Sequence, residues 1–273
     1  MPAPTAIDDV DAVRPTDPMS YVDHPQRRVP FDNVFNFRDL GGYPTADGRT
    51  TSFGRVFRAD GLQRLAGTDL ELVDALGIRT VIDLRTPAEI ADRGTFPTHL
   101  HTVQYHHLSI IDATWTETGV PDFADDEQGG IDFLVWAYRD MLEQGADRFA
   151  KAIVTVSQPG AGATVFHCAA GKDRTGLLAA LVLGGLDVDS DIIAADYGLT
   201  RAGMDRMRAW LADHHPEALA DMNGRPPHMF GAHPAAMAQI LGELEAEHGS
   251  VRGYLRSIGI GDAVVADLRA RLT

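Results

Sequence analysis

The chain has 273 residues, 44% hydrophobic and 23% charged, enough to bury a full core and to read as one domain with room for a lobe. Its formal net charge of −15 repels nucleic acid and bulk anionic membrane at long range, so neither is expected as a partner. A single cysteine closes no internal disulfide, no apolar run nears the roughly 20 residues of a membrane helix, and no basic stretch with an apolar core opens the sequence, so the expectation is a soluble, cytoplasmic protein with no integral membrane segment.

Residues 1–30 are proline-rich and aperiodic and read as an extended or loosely attached segment, with the folded domain over 31–273. Val34-Phe35-Asn36-Phe37 reads as a strand running into a turn over residues 38–42, and 49–58 as a further strand broken at Gly54. Thr68-Asp69-Leu70-Glu71 has the pattern of a capping box ahead of a short helix reaching Leu76. Thr80-Val81-Ile82-Asp83-Leu84 is a β-branched strand. Thr86-Pro87-Ala88-Glu89 follows it with a capping threonine, a first-turn proline and a reciprocal glutamate, so a helix starts there. Asp83 and Arg85 then lie at the carboxyl end of a strand, the edge where open α/β sheets bind ligands, as a structural ion pair or as direct participants.

Residues 103–111 form a further candidate strand with His106 and His107 partly exposed, and 112–130 an acidic loop bordering the cleft. Ile131, Leu134, Val135, Tyr138, Met141 and Leu142 recur at helical spacing and predict a core-facing helix, with a second over 148–156. A strand-like run, Thr164–Phe166, and an apolar run, Leu177–Leu186, predicted as a buried helix, enclose His167-Cys168-Ala169-Ala170-Gly171-Lys172-Asp173-Arg174-Thr175-Gly176. Further helices are expected over 189–201, around Met237–Leu244 and from Asp262. The interrupted stretch 203–230, which mixes methionine, tryptophan and arginine, is either an apolar cover or the edge of the core.

The 167–176 segment carries the chemistry. A strand that turns into a helix N-terminus aims backbone N–H groups and the positive end of the helix dipole at one point, an anion site. Gly171 permits the positive φ that curls the amides of 169–174 into a nest. Cys168 at the mouth of that nest, beside Lys172 and Arg174, has the surroundings that favour a thiolate nucleophile. Arg174 supplies a planar fork for two oxygens of a phosphoryl group. A nucleotide-binding Walker loop is excluded because Gly171-Lys172 is followed by Asp173, and a metal site because one cysteine with one adjacent histidine lacks ligand spacing. In so acidic a chain the site must gather its own cations, for which Lys172, Arg174, Arg38, Arg85 and Arg58 are candidates.

The filled loop HCAAGKDRTG resembles the signature of the atypical bacterial cysteine-dependent tyrosine and lipid phosphatases. Asn36-Phe37-Arg38-Asp39-Leu40-Gly41-Gly42, Asp83-Leu84-Arg85 and Tyr254-Leu255 after Gly249-Ser250-Val251 are similar to other motifs of that family, so the likeness spans about residues 31–260. The resemblance implies a cysteine-phosphatase-like fold, a helical lid over 203–230, activity across phosphoproteins and phosphoinositides, and secretion without a signal as an alternative location. From the residues themselves the fold expected is α/β, a mostly parallel central sheet flanked by helices. The reaction expected is phosphate monoester hydrolysis through a cysteinyl-phosphate, with no metal or organic cofactor and a phosphorylated protein or phosphoinositide as substrate. Cys168 is the nucleophile, residues 169–172 with Arg174 and Thr175 hold phosphate, and Asp173 is the preferred general acid, with Asp122, Asp125 and Asp83 as alternatives. Thr175 either donates to the sulfur or only starts the helix. The rival readings are a rhodanese-like sulfurtransferase and a catalytically silent phospho-binding module.

Overall fold

The computed structural model describes residues 17–114, 120–224 and 230–273. The chain runs α1 (Met19–Val22), β1 (Arg38–Asp39), β2 (Val56–Ala59), a 3-10 turn (Leu62–Arg64), α2 (Thr68–Ala75), β3 (Ile78–Asp83), α3 (Pro87–Arg93), β4 (Gln104–His107) and α4 (Glu127–Gln144). It continues through α5 (Ala146–Ser157), β5 (Ala163–His167), α6 (Asp173–Gly185), α7 (Ser190–Gly198), α8 (Thr200–His214), α9 (Pro216–Asn223), α10 (Pro234–His248), α11 (Val251–Ser257) and α12 (Asp262–Leu272). The strands form one sheet in the order β1-β2-β5-β3-β4, parallel throughout except for β1, as the alternation of strands and helices predicts.

Both faces of this sheet are covered, and the two-residue strand period divides the side chains between two cores. Val56, Ile82 and Phe166 point into the larger core, with residues of α4 to α7 and α10 to α12; Phe57, Val81 and Val165 point into a smaller one with Phe31, Val34, Phe37, Val73 and Phe96. Register places Ala59, His167 and Asp83 side by side, with His107 paired to Asp83. The residues that follow them, Asp60, Cys168 and Leu84, therefore leave the sheet at one carboxyl edge. Among the described residues no helix is long and apolar enough to cross a membrane.

Beneath that edge lies a buried charge cluster that the sequence does not announce. Asp196 of α7 accepts from Arg38 at 3.0 Å, from Arg58 at 2.7 Å and from the Tyr43 hydroxyl at 2.8 Å, with all four side chains buried. Burial works against the Asp196 charge, but the two guanidiniums outweigh it and hold the carboxyl well below the usual range. Burial, reinforced by Arg38, brings Arg58 down to about 10. Asp60, buried at the end of β2, accepts the N–H groups of Phe35 and Asn36 at 2.9 and 2.8 Å and faces Arg64 at 3.3 Å.

Several expectations are corrected here. Val34–Phe37 is not a strand, because the N–H groups of Phe35 and Asn36 go to Asp60 and not to a ladder; pairing starts only at Arg38. The 49–58 strand shrinks to β2, beyond the break at Gly54, where φ is +74°. Thr68 caps nothing: Gly67 holds the N-cap position of α2, and the Thr68 hydroxyl donates to Asp32. The acidic loop ends earlier than expected, with Asp126 capping α4 through Gly129 N–H; its residues 115–119 lie outside the described residues. Residues 1–16 of the N-terminal segment also lie outside them; within 17–30, Val22 and Arg27 are buried. Arg27 is 2% exposed, donates to the carbonyls of Tyr21, Val22 and Asp39, and stands 3.8 Å over the Tyr43 ring.

Two outcomes follow from this scaffold. Arg27→Ala strands three carbonyls and removes the ring contact, so urea unfolding should show a loss of about 2–4 kcal/mol; a change under about 0.5 kcal/mol would show that 17–30 adds nothing. Burial pushes the Asp60 carboxyl up to about 6, so at intermediate pH it stays protonated when folded while the unfolded chain ionises. The stability it contributes is complete below about pH 4 and is lost as pH rises through about 6. Relative to Asp60→Asn, the native chain should lose on the order of 3 kcal/mol across that window, and a pH-independent difference would contradict the buried-acid assignment.

Candidate active site

Cys168 is 1% exposed and begins the turn where β5 leaves the sheet. The turn depends on Gly171, whose φ is +66° and whose missing Cβ would stand 2.5 Å from the Ala59 carbonyl oxygen, so no other residue fits. The carbonyls of the turn are held from the sheet side. Gly61 N–H donates to Ala169 at 3.1 Å, the Asn36 amide donates to both Ala170 and Gly171 at 3.0 Å, and Arg58 donates to Gly171 at 3.0 Å. With those carbonyls so engaged, the N–H groups of the same trans peptide units, those of Ala170, Gly171 and Lys172, point to the opposite side, ahead of the N-terminus of α6. Asn36 is oriented in turn by Arg38, which donates to its side-chain oxygen at 2.5 Å.

Arg174, in the first turn of α6, is 7% exposed and forms a two-pronged pair with Glu89, at 2.5 and 2.9 Å. Burial opposes the Arg174 charge, but Glu89 and the adjacent Cys168 more than offset it and raise its pKa above the ordinary arginine value. The same carboxylate accepts the Thr86 N–H at 2.8 Å while the Thr86 hydroxyl accepts from Glu89 N–H at 3.2 Å, so the predicted capping box exists. Sequence reasoning identified Glu89 as a cap and missed its grip on Arg174. The cap, located just after a strand's carboxyl end, was the available signal.

Asp83 and Arg85 are mutual partners at 2.6 Å and both are 0% exposed. Tyr105 donates to Asp83 at 2.8 Å, and Arg85 also reaches Gln63 and the Gly94 carbonyl. Burial pushes the Asp83 carboxyl up, but His167 and Arg85 together bring it well below the usual range, so it holds no proton at neutral pH. Burial lowers the His167 pKa, opposed by Asp83, whose carboxylate lies 3.5 Å from its Nε2. Arg38 and Arg58 pair with Asp196 under the loop, and neither stands free as a cation for a ligand.

Asp173 opens α6 with its side chain 27% exposed, and its Oδ1 accepts from Tyr138 at 2.9 Å and lies 3.5 Å from Lys172 Nζ. Lys172 is 3% exposed and donates to the Gly231 carbonyl at 3.1 Å. The Thr175 hydroxyl is buried with no hydrogen-bond partner among the described residues. Asp122 and Asp125 are exposed before α4. Tyr138, read from its spacing only as a core residue, in fact reaches Asp173, and its hydroxyl lies 2.6 Å from that of Tyr197.

A sequence profile of the tyrosine phosphatase family matches residues 29–273. A Cupriavidus necator protein assigned as a tyrosine-protein phosphatase is 30% identical over 259 residues, covering 90% of this chain and 89% of its own. The triple specificity protein phosphatase PtpB of Mycobacterium tuberculosis is 28% identical over 272 residues, covering 88% of this chain and 96% of its own. A tyrosine-protein phosphatase of Nostoc commune is 29% identical over 223 residues, covering 79% and 73%. The profile match runs from just before β1 to the last residue and takes in the Cys168 turn, and on that ground the chain belongs to the tyrosine phosphatase family.

Proposed function

We propose that the protein hydrolyses phosphate monoesters, phosphotyrosine foremost, through a cysteinyl-phosphate intermediate. The observation that carries this reading is the seating of Cys168 in one turn with Arg174, whose fork Glu89 fixes at the N-terminus of α6. Cys168 Sγ attacks phosphorus while the bond to the leaving oxygen breaks and Asp173 protonates that oxygen. The N–H groups of 169–174 and the guanidinium hold the equatorial oxygens as their charge grows. Water then attacks the phosphocysteine, Asp173 takes its proton, and the S–P bond breaks to release phosphate. The unpartnered Thr175 hydroxyl is the donor for the departing sulfur.

Family membership removes the sulfurtransferase alternative, and a nucleophile, clamp and acid together argue against a silent binding module. Asp83 is a poor acid because it is buried in its pair with Arg85. For substrate breadth, Lys172 adds a second cation within the turn, and one relative is named for triple specificity, so we extend the reading to phosphoserine, phosphothreonine and phosphoinositides. We read α8 and α9 as the described part of a cover: α8 buries only Thr200, Gly203 and Met204, while Trp210 packs on Phe35, next to Asn36. Residues 225–229 of the expected lid lie outside the described residues.

A panel of phosphotyrosine, phosphoserine and phosphothreonine peptides and phosphoinositides, with Cys168→Ser as the blank, tests the proposal. Phosphotyrosine peptide should turn over fastest, while Cys168→Ser should release no phosphate yet still bind vanadate, since the cradle is backbone and Arg174. More than trace turnover by Cys168→Ser would overturn the covalent route.

A further inference from the structure

Two buried phenols, Tyr138 of α4 and Tyr197 of α7, stand behind Asp173, 0% and 1% exposed. We infer that Tyr138 is a positioning residue for Asp173, covering Oδ1 so that Oδ2 is the oxygen that carries the proton to the leaving group. This rests on the reading of Asp173 as general acid. The direction of the hydrogen-bond chain is set by proton counting. Burial, with the Asp173 charge next, raises both phenols far above ordinary tyrosine, so each keeps its proton at any working pH. An ionised Asp173 has no proton to give, so Tyr138 donates to Oδ1 at 2.9 Å; having spent its one O–H there, it accepts from Tyr197 at 2.6 Å. Lys172 Nζ, at 3.5 Å, approaches the same Oδ1. Among the described residues both contacts fall on Oδ1, which leaves Oδ2 as the oxygen to take up the proton.

The fold is shaped for this arrangement. The tyrosine rings meet edge to face, 6.1 Å apart at 86°, on two helices of the main core. A Cβ at Gly176 would stand 2.9 Å from Tyr197 Cδ2, so the glycine that ends the loop motif is the space the second ring occupies. Among the described residues, the charged and titratable groups facing Asp173 are Lys172 and Arg174 from its own segment, Tyr138 from α4 and Tyr197 from α7.

The test compares a phosphotyrosine peptide, whose phenol leaving group needs protonation, with a nitrophenyl phosphate, whose leaving group departs unaided. Tyr138→Phe should lower kcat about tenfold on the peptide and less than about twofold on the activated ester, with KM unchanged. Loss of a donor to the ionised carboxylate should also move the alkaline limb of the kcat profile to higher pH. Tyr197→Phe should show the same pattern more weakly. Equal losses on both substrates with an unmoved limb, or no loss on either, would overturn the inference. Asp173→Asn on the same pair separates the two readings. If Asp173→Asn is selective for the peptide and Tyr138→Phe is not, only the Tyr138 role fails; if Asp173→Asn is unselective, the general-acid reading fails and this inference with it. Should Tyr138→Phe not fold, judged by near-ultraviolet circular dichroism, Tyr197→Phe decides: an absence of peptide-selective loss there overturns the inference.

Discussion

A peptide group has two ends, and fixing where its carbonyl goes fixes where its N–H points. The turn after Cys168 depends on this constraint. Gly61, Asn36 and Arg58 take the carbonyls of Ala169, Ala170 and Gly171 from the sheet side. Two of those donors are themselves held by carboxylates: Arg58 by Asp196, the Asn36 backbone by Asp60, and the Asn36 side chain by Arg38 and so again by Asp196. The turn is thus the outermost layer of a stack whose base is two buried acids. Buried ion pairs of this kind contribute little net stability against apolar replacements, while removing one partner is costly. Their role here is to impose one geometry on a turn that has no regular secondary structure of its own.

The same layering sets the local charge beneath the turn in an otherwise acidic chain. The formal charge of −15 is spread over the whole molecule, whereas the ground beneath the turn contains two arginines around a single Asp196. Arg174, in the first turn of α6, is held in two prongs by Glu89, whose carboxylate also takes part in the cap of α3. The helix start after β3 and the Arg174 side chain after β5 are therefore one structural unit, made possible because β3 and β5 are neighbours in the sheet.

What the sequence made legible was local. The strand, glycine turn and helix around Cys168 could be read because each signal falls within a few residues, and the capping box at Thr86 for the same reason. What it concealed was carried by partners far along the chain. Val34–Phe37 has a strand's composition, but its N–H groups are claimed by Asp60. Asp196 sits in the last turn of α7 with no neighbour to mark it, and its partners Arg58 and Arg38 lie 138 and 158 positions away. Tyr138 obeys the apolar spacing of its helix, and a hydroxyl at such a position leaves no trace in periodicity. At Thr68 a correct pattern failed because Gly67 ended the preceding turn one residue earlier.

The central claim is that the sulfur of Cys168 carries the phosphoryl group between substrate and water. Rapid acid quench during turnover of a phosphotyrosine peptide, followed by mass spectrometry of the digested enzyme, tests it directly. One phosphoryl mass is expected on the fragment containing Cys168, located on that residue and absent from Cys168→Ser. Steady turnover with Cys168 unmodified at every quench time, or a phosphoryl group on His167 in its place, would contradict it.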